Sequence, residues 1–217
     1  MDPIWEETFR TTQWGKYPPE HVIRFVASKF YAYADRSEIR LLDAGCGTGA
    51  CTWFMAREGF RVSGIDGSPT AIGRASDRLS AEGLNVEFKI GDYTVLPWPD
   101  NFFDAALDNF SFYANLCADW QRAVDEVYRV LKPGGLFMSA SFTSSCWGYG
   151  TGRRVEPGTF TDIPEGPLYL RGLCHFISEA ELRNILGKFR RVDVERESRT
   201  LHNQANMIDM WIATAVK

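Results

Sequence analysis

Short apolar runs alternate with amphipathic stretches along the middle of the chain. Five runs have the length of buried strands and are predicted as strands one to five: residues 40–44, 61–66, 85–90, 103–108 and 136–142. Apolar residues at helical spacing predict helices over residues 20–34, 49–57, 68–83 and 119–131. Because strands that are linked through helices pair in parallel, the pattern predicts an α/β fold with helices on both faces of a parallel sheet.

The last third of the chain is patterned differently. Residues 143–174 show no clear period and are rich in Gly, Pro, Ser, Thr and Arg, so we expect an irregular segment with a use of its own. Ser178 and Glu181 form a capping box that opens a final helix, and residues 192–199 and 207–216 are predicted as two closing strands. The short link between these strands is compatible with an antiparallel pair at the sheet edge.

Composition and charge narrow the class of protein. The length of 217 residues predicts one domain, and the net charge of -4 argues against a general nucleic-acid binder with a basic face. No signal-peptide core or membrane-length apolar run stands in the chain, so we expect a cytoplasmic protein without a membrane partner. The five cysteines are odd in number and include no C-x-x-C pair, which predicts reduced thiols and no metal.

The most informative motif follows strand one: Asp43-Ala44-Gly45-Cys46-Gly47-Thr48-Gly49-Ala50. A buried strand, a glycine turn and a helix start can bring a ligand onto the N–H groups of the helix. The glycine spacing also satisfies the looser dinucleotide fingerprint, so two cofactor classes stay open at this point. Asp43 is awkward beside a pyrophosphate and suits a ligand with an ammonium or sulfonium group.

Four successive strands deliver polar or acidic residues to the edge where their carboxyl ends meet, which is where open parallel sheets bind ligands. These residues are Asp43 with the glycines, Ile65-Asp66-Gly67, Gly91-Asp92-Tyr93 and Asp108-Asn109-Phe110. Asp66 stands about 20 residues after the glycines, the position of a carboxylate that accepts hydrogen bonds from ribose hydroxyls. We expect Asp92 to accept from an adenine amino group, with Tyr93 or Phe110 on the ring; a plain turn residue is the alternative for Asp92.

With these motifs the chain resembles the class I S-adenosylmethionine-dependent methyltransferases, in the broad small-molecule group. The matching segments stand in the family's order over about residues 38–142: Leu41 to Gly49, Gly64 to Ser68, Gly91-Asp92, Phe102 to Ala106 and Arg129 to Leu136. The resemblance implies a Rossmann-like three-layer sandwich with a seven-stranded, mostly parallel sheet. The implied strand order is 3-2-1-4-5-7-6, with strand seven antiparallel.

The resemblance also implies the cofactor and its contacts. S-adenosylmethionine would be the methyl donor and S-adenosylhomocysteine the product, with no metal. The expected cofactor-binding residues are Asp43, Gly45, Cys46, Gly47, Gly49, Asp66, Gly67, Ser68, Asp92, Tyr93, Asn109 and Phe110. The glycine turn would cradle the methionyl part and Asn109 would lie near it. Many relatives carry a histidine pair after strand four, where this chain has Tyr113-Ala114.

We divide the single domain accordingly. Residues 1–37 are expected to form an N-terminal helical cap, 38–142 the cofactor-binding core, 143–175 a substrate-side insert, and 176–217 the closing helix and strands.

Acceptor-side residues are less clearly marked. The candidate catalytic residues are His175 and Tyr113, and the candidate substrate-binding residues are Tyr17, Arg153, Arg154 and Arg171. The arginines could bind a carboxylate or phosphate of the acceptor, and His175 could act as a general base. The alternatives are solvated surface arginines and a hydrogen-bonded structural histidine.

The expected function is methyl transfer to a small-molecule acceptor by in-line displacement, with the acceptor atom (O, N, S or C) undetermined. We expect a monomer or homodimer without a nucleic-acid partner. Two alternatives stay open: a non-catalytic module that binds S-adenosylmethionine, and an NAD-linked oxidoreductase.

Overall fold

The computed structural model describes residues 2–217. Its helices are α1 (Ile4–Thr11), α2 (Glu20–Phe30), α3 (Ala50–Arg57), α4 (Pro69–Ala81), α5 (Cys117–Val130) and α6 (Glu179–Ile185). Its strands are β1 (Arg40–Ala44), β2 (Arg61–Asp66), β3 (Glu87–Ile90), β4 (Phe103–Asn109), β5 (Leu131–Phe142), β6 (Arg153–Glu156), β7 (Thr159–Thr161), β8 (Cys174–His175), β9 (Arg191–Leu201) and β10 (Asn206–Val216). None of the helices within this range is long and apolar enough to cross a bilayer.

Seven strands form one sheet in the order β3-β2-β1-β4-β5-β10-β9. The first five pair in parallel, whereas β10 runs antiparallel to both β5 and β9. With β9 and β10 counted as strands six and seven, this is the predicted order with the predicted antiparallel strand. The Rossmann-like α/β fold is therefore confirmed.

Both faces of the sheet are covered because neighbouring residues of a strand point to opposite sides. In β1, Leu41 joins the apolar cluster that contains α2 residues such as Val26. Leu42 joins the opposite cluster, which contains α5 residues such as Val127. The central strand is thus buried on both faces, and the chemistry has to sit at the ends of the strands.

Some predicted boundaries are wrong. Helix α2 ends at Phe30 rather than at residue 34, because Asp35 caps a separate 3-10 turn over Arg36–Glu38. Helix α5 begins at Cys117, two residues before the predicted start. Strand β5 begins to pair with β4 at Leu131. The pairing register shifts over Pro133-Gly134-Gly135, so the residues predicted to end the helix also form a β-bulge.

The segment predicted as irregular contains a small second sheet. Strands β6, β7 and β8 pair in sequence, antiparallel throughout. These strands are four, three and two residues long, too short for an alternating pattern to stand out in the sequence. The residues between β7 and β8 return toward the N-terminal helix, and Arg171 contacts Thr8.

Candidate active site

The carboxyl ends of β1, β2 and β4 open into a cavity of about 290 Å³. Eleven of the residues singled out in the sequence line it: Asp43, Gly45, Cys46, Gly47, Asp66, Gly67, Tyr93, Asn109, Phe110, Tyr113 and Arg171. The structure thus gathers residues from five separate segments at the predicted edge of the sheet. A cavity of this size is at the lower end of the range for small-molecule sites.

The glycine turn needs glycine for steric reasons that the structure shows. Gly45 and Gly47 both have positive φ, 77° and 51°. A Cβ on Gly45 would lie 2.3 Å from the side chain of Ser111, whose hydroxyl donates a hydrogen bond to the Gly45 carbonyl at 2.9 Å. A Cβ on Gly47 would meet the ring of Phe9 at 3.3 Å. Larger residues would therefore fill the space between this turn and its neighbours.

Asp66 fixes the shape of the turn. One carboxylate oxygen accepts from the Gly47 N–H and the other from the Ser68 N–H, each at 2.9 Å. Burial raises the pKa of Asp66, while the two backbone hydrogen bonds oppose that rise. The carboxylate at the end of β2 thereby holds the glycine turn and the start of α4 in one arrangement.

Asp43 is a second buried carboxylate in the cavity wall, 2 % exposed. It accepts a 2.5 Å hydrogen bond from the Thr52 hydroxyl. Burial raises its pKa to about 6 in spite of that bond. Among residues 2–217, no cation pairs with Asp43 or Asp66 within salt-bridge distance. Two such carboxylates fit a cationic ligand and would repel a pyrophosphate.

The loop after β4 is shaped by Asp108, which lies behind the cavity. Its carboxylate accepts from the Ser139 hydroxyl at 2.7 Å and from the backbone N–H groups of Ser111 and Phe112. Burial raises the pKa of Asp108 to about 7. These bonds present Ser111 to the glycine turn and Asn109 to the cavity. Sequence reasoning named Asp108 only as a strand-end residue and missed this supporting role.

The side chain of Asn109 contacts His21, which is not one of the predicted site residues. Its side-chain oxygen lies 2.8 Å from Nε2 of His21 on α2. The ring of His21 also packs edge-on against Phe110, with ring centroids 5.8 Å apart. His21 therefore fixes the orientation of the Asn109 amide at the cavity.

Helix α1 forms the wall opposite the glycine turn; it lies in the segment expected as an N-terminal helical cap, although no helix was assigned to these residues. Trp5 and Phe9 line the cavity, and Trp14 follows them from the next loop. The carboxylate of Glu6 accepts hydrogen bonds from the Ser68 and Thr70 hydroxyls, which attaches α1 to α4. The i, i+3, i+4 spacing of Trp5, Thr8 and Phe9, all buried, is the helical signal that could have revealed this element.

The insert supplies the remaining wall. Pro167, Leu168 and Arg171 line the cavity, with the Arg171 guanidinium 5.4 Å from the ring of Trp14. Arg171 is the one cationic side chain among the described residues that line it. The other lining residues, none of them a predicted site residue, are Thr48, Ala50, Cys51, Ser111, Ala114 and Phe142.

Three predicted cofactor residues do not line the cavity. Gly49 caps α3, and a Cβ there would meet Cβ of Ala75 at 3.0 Å. Ser68 caps α4 by accepting from the Ala71 N–H. Asp92 accepts a hydrogen bond from the Thr94 N–H at 2.8 Å. Partial burial acts to raise the pKa of Asp92, but the hydrogen bonds from Thr94 outweigh it, so the pKa is lowered overall. Gly49 and Ser68 support the site from behind, and the adenine contact expected of Asp92 stays a prediction.

Four acceptor-side candidates lie elsewhere, which corrects their expected placement. Tyr17 is 74 % exposed, and its ring contacts that of Trp53. Arg153 and Arg154 are exposed on β6, and Arg153 forms an ion pair with Asp162. His175 is fully buried against Trp120 and hydrogen-bonded to Thr159, outside the cavity wall. It cannot reach a ligand in the cavity as a general base in this arrangement. Of the acceptor-side set, Tyr113 and Arg171 are the two that the cavity contains.

Comparison with known proteins agrees with the fold and the motifs. Residues 41–135 match the sequence model of a family described as a methyltransferase domain. Over 110 residues the chain is 36% identical to demethylmenaquinone methyltransferase from Thermus thermophilus, a match that covers 50% of this chain and 49% of the relative. The chain spans about half the length of the first curated relatives that it matches.

Solved structures share the architecture over a longer span. A S-adenosylmethionine-dependent methyltransferase from Methanosarcina mazei has a TM-score of 0.67 and 28% identity, and the match covers 82% of this chain and 92% of that one. The 1,6-didemethyltoxoflavin-N1-methyltransferase of Burkholderia thailandensis, solved with its acceptor and S-adenosylhomocysteine, has a TM-score of 0.64 and 23% identity. That match covers 91% of this chain and 79% of the neighbour and shows the shared fold.

The predicted strand order, the glycine turn at the end of β1 and the matched domain all lead to one family. Residues 41–135 match the methyltransferase-domain family, and the fold of the chain is similar to that of a solved S-adenosylmethionine-dependent methyltransferase.

Proposed function

We propose that the cavity binds S-adenosylmethionine and that the chain transfers its methyl group to a small-molecule acceptor. The observation that carries this proposal is the pair of buried carboxylates, Asp43 and Asp66, beside the glycine turn with no cation against them among the described residues. The ammonium group of S-adenosylmethionine would compensate Asp43, and its ribose hydroxyls would donate to Asp66. Asp43 disfavours an NAD-linked oxidoreductase, because a pyrophosphate on the glycine turn would face its negative charge.

The glycine turn and the strand ends would bind different parts of the cofactor. Gly45 and Gly47 line the cavity and would contact the methionyl part, with Asn109 beside it and Asp43 in the same wall to favour its ammonium group. Asp66 would accept from the ribose hydroxyls. Tyr93 lies in the same wall and packs on Phe112, ring centroids 4.8 Å apart, which provides a flat apolar surface for the adenine.

S-adenosylmethionine supplies an already activated methyl group on a sulfonium, so the residues of this chain need mainly to position the acceptor behind it. Burial raises the pKa of Tyr113 far above its usual value. Tyr113 therefore stays a neutral phenol at physiological pH and would orient the acceptor rather than remove its proton. Trp5, Phe9 and Trp14 would shield the reacting groups from water from the α1 side.

The acceptor-side wall favours one class of small molecule. It is mostly aromatic and aliphatic, with Phe142, Leu168 and Tyr113, and its cation is Arg171. We propose a largely apolar acceptor that carries an anionic or strongly polar group toward Arg171. The relative from Thermus thermophilus is named for demethylmenaquinone and the neighbour from Burkholderia thailandensis for 1,6-didemethyltoxoflavin, and both names support a small-molecule acceptor.

A mass-spectrometric screen tests the proposal. The purified chain is incubated with S-adenosylmethionine labelled in its methyl group and with panels of apolar carboxylates, phenols and amines. The proposal predicts a labelled small-molecule product and stoichiometric S-adenosylhomocysteine. Cofactor binding without a product from any panel would instead support the non-catalytic binding module.

A further inference from the structure

Three side chains with metal-ligating atoms meet outside the cavity. They are Cys117 at the start of α5, His175 in β8 and Glu181 in the first turn of α6. One ligand atom from each lies within 4.8 Å of the other two. None of the three lines the cavity described above, and the proposed methyl transfer does not use them.

Thr159 contacts one of the two ring nitrogens of His175. The Thr159 hydroxyl donates its one proton to Oε1 of Glu156 at 2.9 Å. The same hydroxyl oxygen lies 2.6 Å from Nδ1 of His175 and can accept from its N–H. In that tautomer Nε2 carries the lone pair that a metal ion would use. A metal-binding histidine shows this arrangement, with one nitrogen held by a polar neighbour and the other left for the ion.

The free nitrogen is buried and points into the cluster. His175 is fully buried, and within residues 2–217 nothing makes a hydrogen bond to its Nε2. The closest oxygen, Oε1 of Glu181, lies 3.2 Å away but is itself an acceptor. Two acceptors that face each other across a buried gap repel unless a proton or a metal ion lies between them.

Two of the three separations agree with a tetrahedral metal centre, and the third, between Nε2 of His175 and Sγ of Cys117, is within 4.8 Å. Nε2 of His175 and Sγ of Cys117 lie 3.2 and 3.6 Å from Oε1 of Glu181. Zn²⁺ bonds of about 2.0–2.3 Å place neighbouring ligand atoms of a tetrahedron about 3.3–3.6 Å apart. The thiol, imidazole and carboxylate donor set favours zinc and its transition-metal neighbours over Mg²⁺ or Ca²⁺.

We propose that Cys117, His175 and Glu181 bind one zinc-class divalent ion, with the fourth position open to solvent through the half-buried Cys117 and Glu181. The ion would cross-link α5, β8 and α6. It would thereby hold the C-terminal end of the insert (residues 143–175), which also carries Arg171, against the core. The sequence predicted no metal because the ligands come from three separate segments and form no spaced motif.

Cobalt titration tests the site directly. The full chain is treated with a chelator, and Co²⁺ is added while the thiolate-to-cobalt charge-transfer absorption is recorded. We expect saturation at one ion per chain and competition by Zn²⁺. Cys117→Ser abolishes the charge-transfer band, and Glu181→Gln weakens binding at least tenfold. Glu179→Gln, on the same helix but paired with Arg183, is the matched control and leaves binding unchanged.

A thermal readout keeps the proposal falsifiable if one variant folds poorly. Zn²⁺ should raise the melting temperature of the wild-type chain and of Glu179→Gln, and not that of either ligand variant. No saturable band in the wild type, or an undiminished band in folded Cys117→Ser, would overturn the proposal. In that case the cluster is a proton-shared His175–Glu181 pair with a neutral thiol beside it.

Discussion

At the scale of single residues, buried carboxylates organise the proposed site. Asp66 holds two backbone N–H groups of the glycine turn and of the start of α4. Asp43 is tied to Thr52, and Asp108 fixes the loop that places Asn109. The sequence marked all three positions because each ends a predicted strand. Their bonding partners depend on loop geometry, which no spacing rule describes.

Replacing Asp66 should weaken cofactor binding. Asp66→Ala removes the proposed ribose acceptor and two backbone hydrogen bonds of the turn, so we expect a loss of about 1–3 kcal/mol in the binding free energy of S-adenosylhomocysteine. Calorimetric titration measures it. Asp77→Ala, an exposed carboxylate on α4, is the control and should bind as the wild type does. Unchanged affinity in a folded Asp66→Ala chain would refute the assignment.

Asp43 should make the ligand-free protein less stable as the pH rises. Its folded pKa of about 6 exceeds its usual value of 3.8, so this group favours the folded state most below pH 4, and that contribution is lost as the pH rises through 6. Relative to Asp43→Asn, the wild type should lose about 1–2 kcal/mol of unfolding free energy between pH 5 and pH 8. Denaturant titrations at both pH values check this. Asp108 is present in both chains, and a pH-independent difference between them would contradict the raised pKa of Asp43.

Arg171 should act on the acceptor rather than on the cofactor. Arg171→Ala removes the cation of the acceptor-side wall, so we expect KM for the acceptor to rise by about tenfold or more while cofactor affinity changes little. Arg153→Ala is the matched control, since that arginine is exposed and pairs with Asp162 away from the cavity. Steady-state kinetics with the acceptor from the mass-spectrometric screen separate the two effects. Equal KM changes in both variants would contradict the placement.

At the scale of secondary-structure elements, the sequence predicted the strands of the main sheet but not the short elements that pack around the cavity. The strands from β1 to β5 are bounded by glycines, prolines and apolar runs, which local patterning records. Helix α1 has eight residues, and strands β6 to β8 are shorter still, so their amphipathic signals are weak. Helix α1 nevertheless forms the cavity wall opposite the glycine turn, and the segment between β7 and β8 carries Arg171 into the wall. Their placement comes from tertiary contacts such as Glu6 with Ser68 and Arg171 with Thr8.

The attachment of α1 to α4 should matter for ligand affinity. Glu6→Ala removes the hydrogen bonds to Ser68 and Thr70, so α1 should dock less firmly and the cofactor should bind about three- to tenfold more weakly. Glu7→Ala is the control, because Glu7 is exposed and pairs with Arg10 on the same helix. Limited proteolysis should cut the Glu6→Ala chain near α1 sooner than either wild type or Glu7→Ala. Equal affinities and equal cleavage in the two variants would show that α1 is held by its apolar face alone.

At the scale of the whole molecule, the alternation of strands and helices predicted a parallel sheet with helices on both faces, but not the order of its strands. The resemblance supplied the strand order, and the structure confirms it, including the antiparallel β10. The acceptor side was not predictable. Its residues come from α1, from the loop after β4 and from the insert, and their meeting depends on how the small sheet packs against the core.

Whether the cavity binds S-adenosylmethionine is tested most directly by a calorimetric titration of the purified chain with the product S-adenosylhomocysteine, followed by a titration with NAD. We expect saturable binding of S-adenosylhomocysteine at one molecule per chain, weakened in Asp66→Ala, and no binding of NAD. Binding of NAD in place of S-adenosylhomocysteine, or of neither ligand, would contradict the proposal.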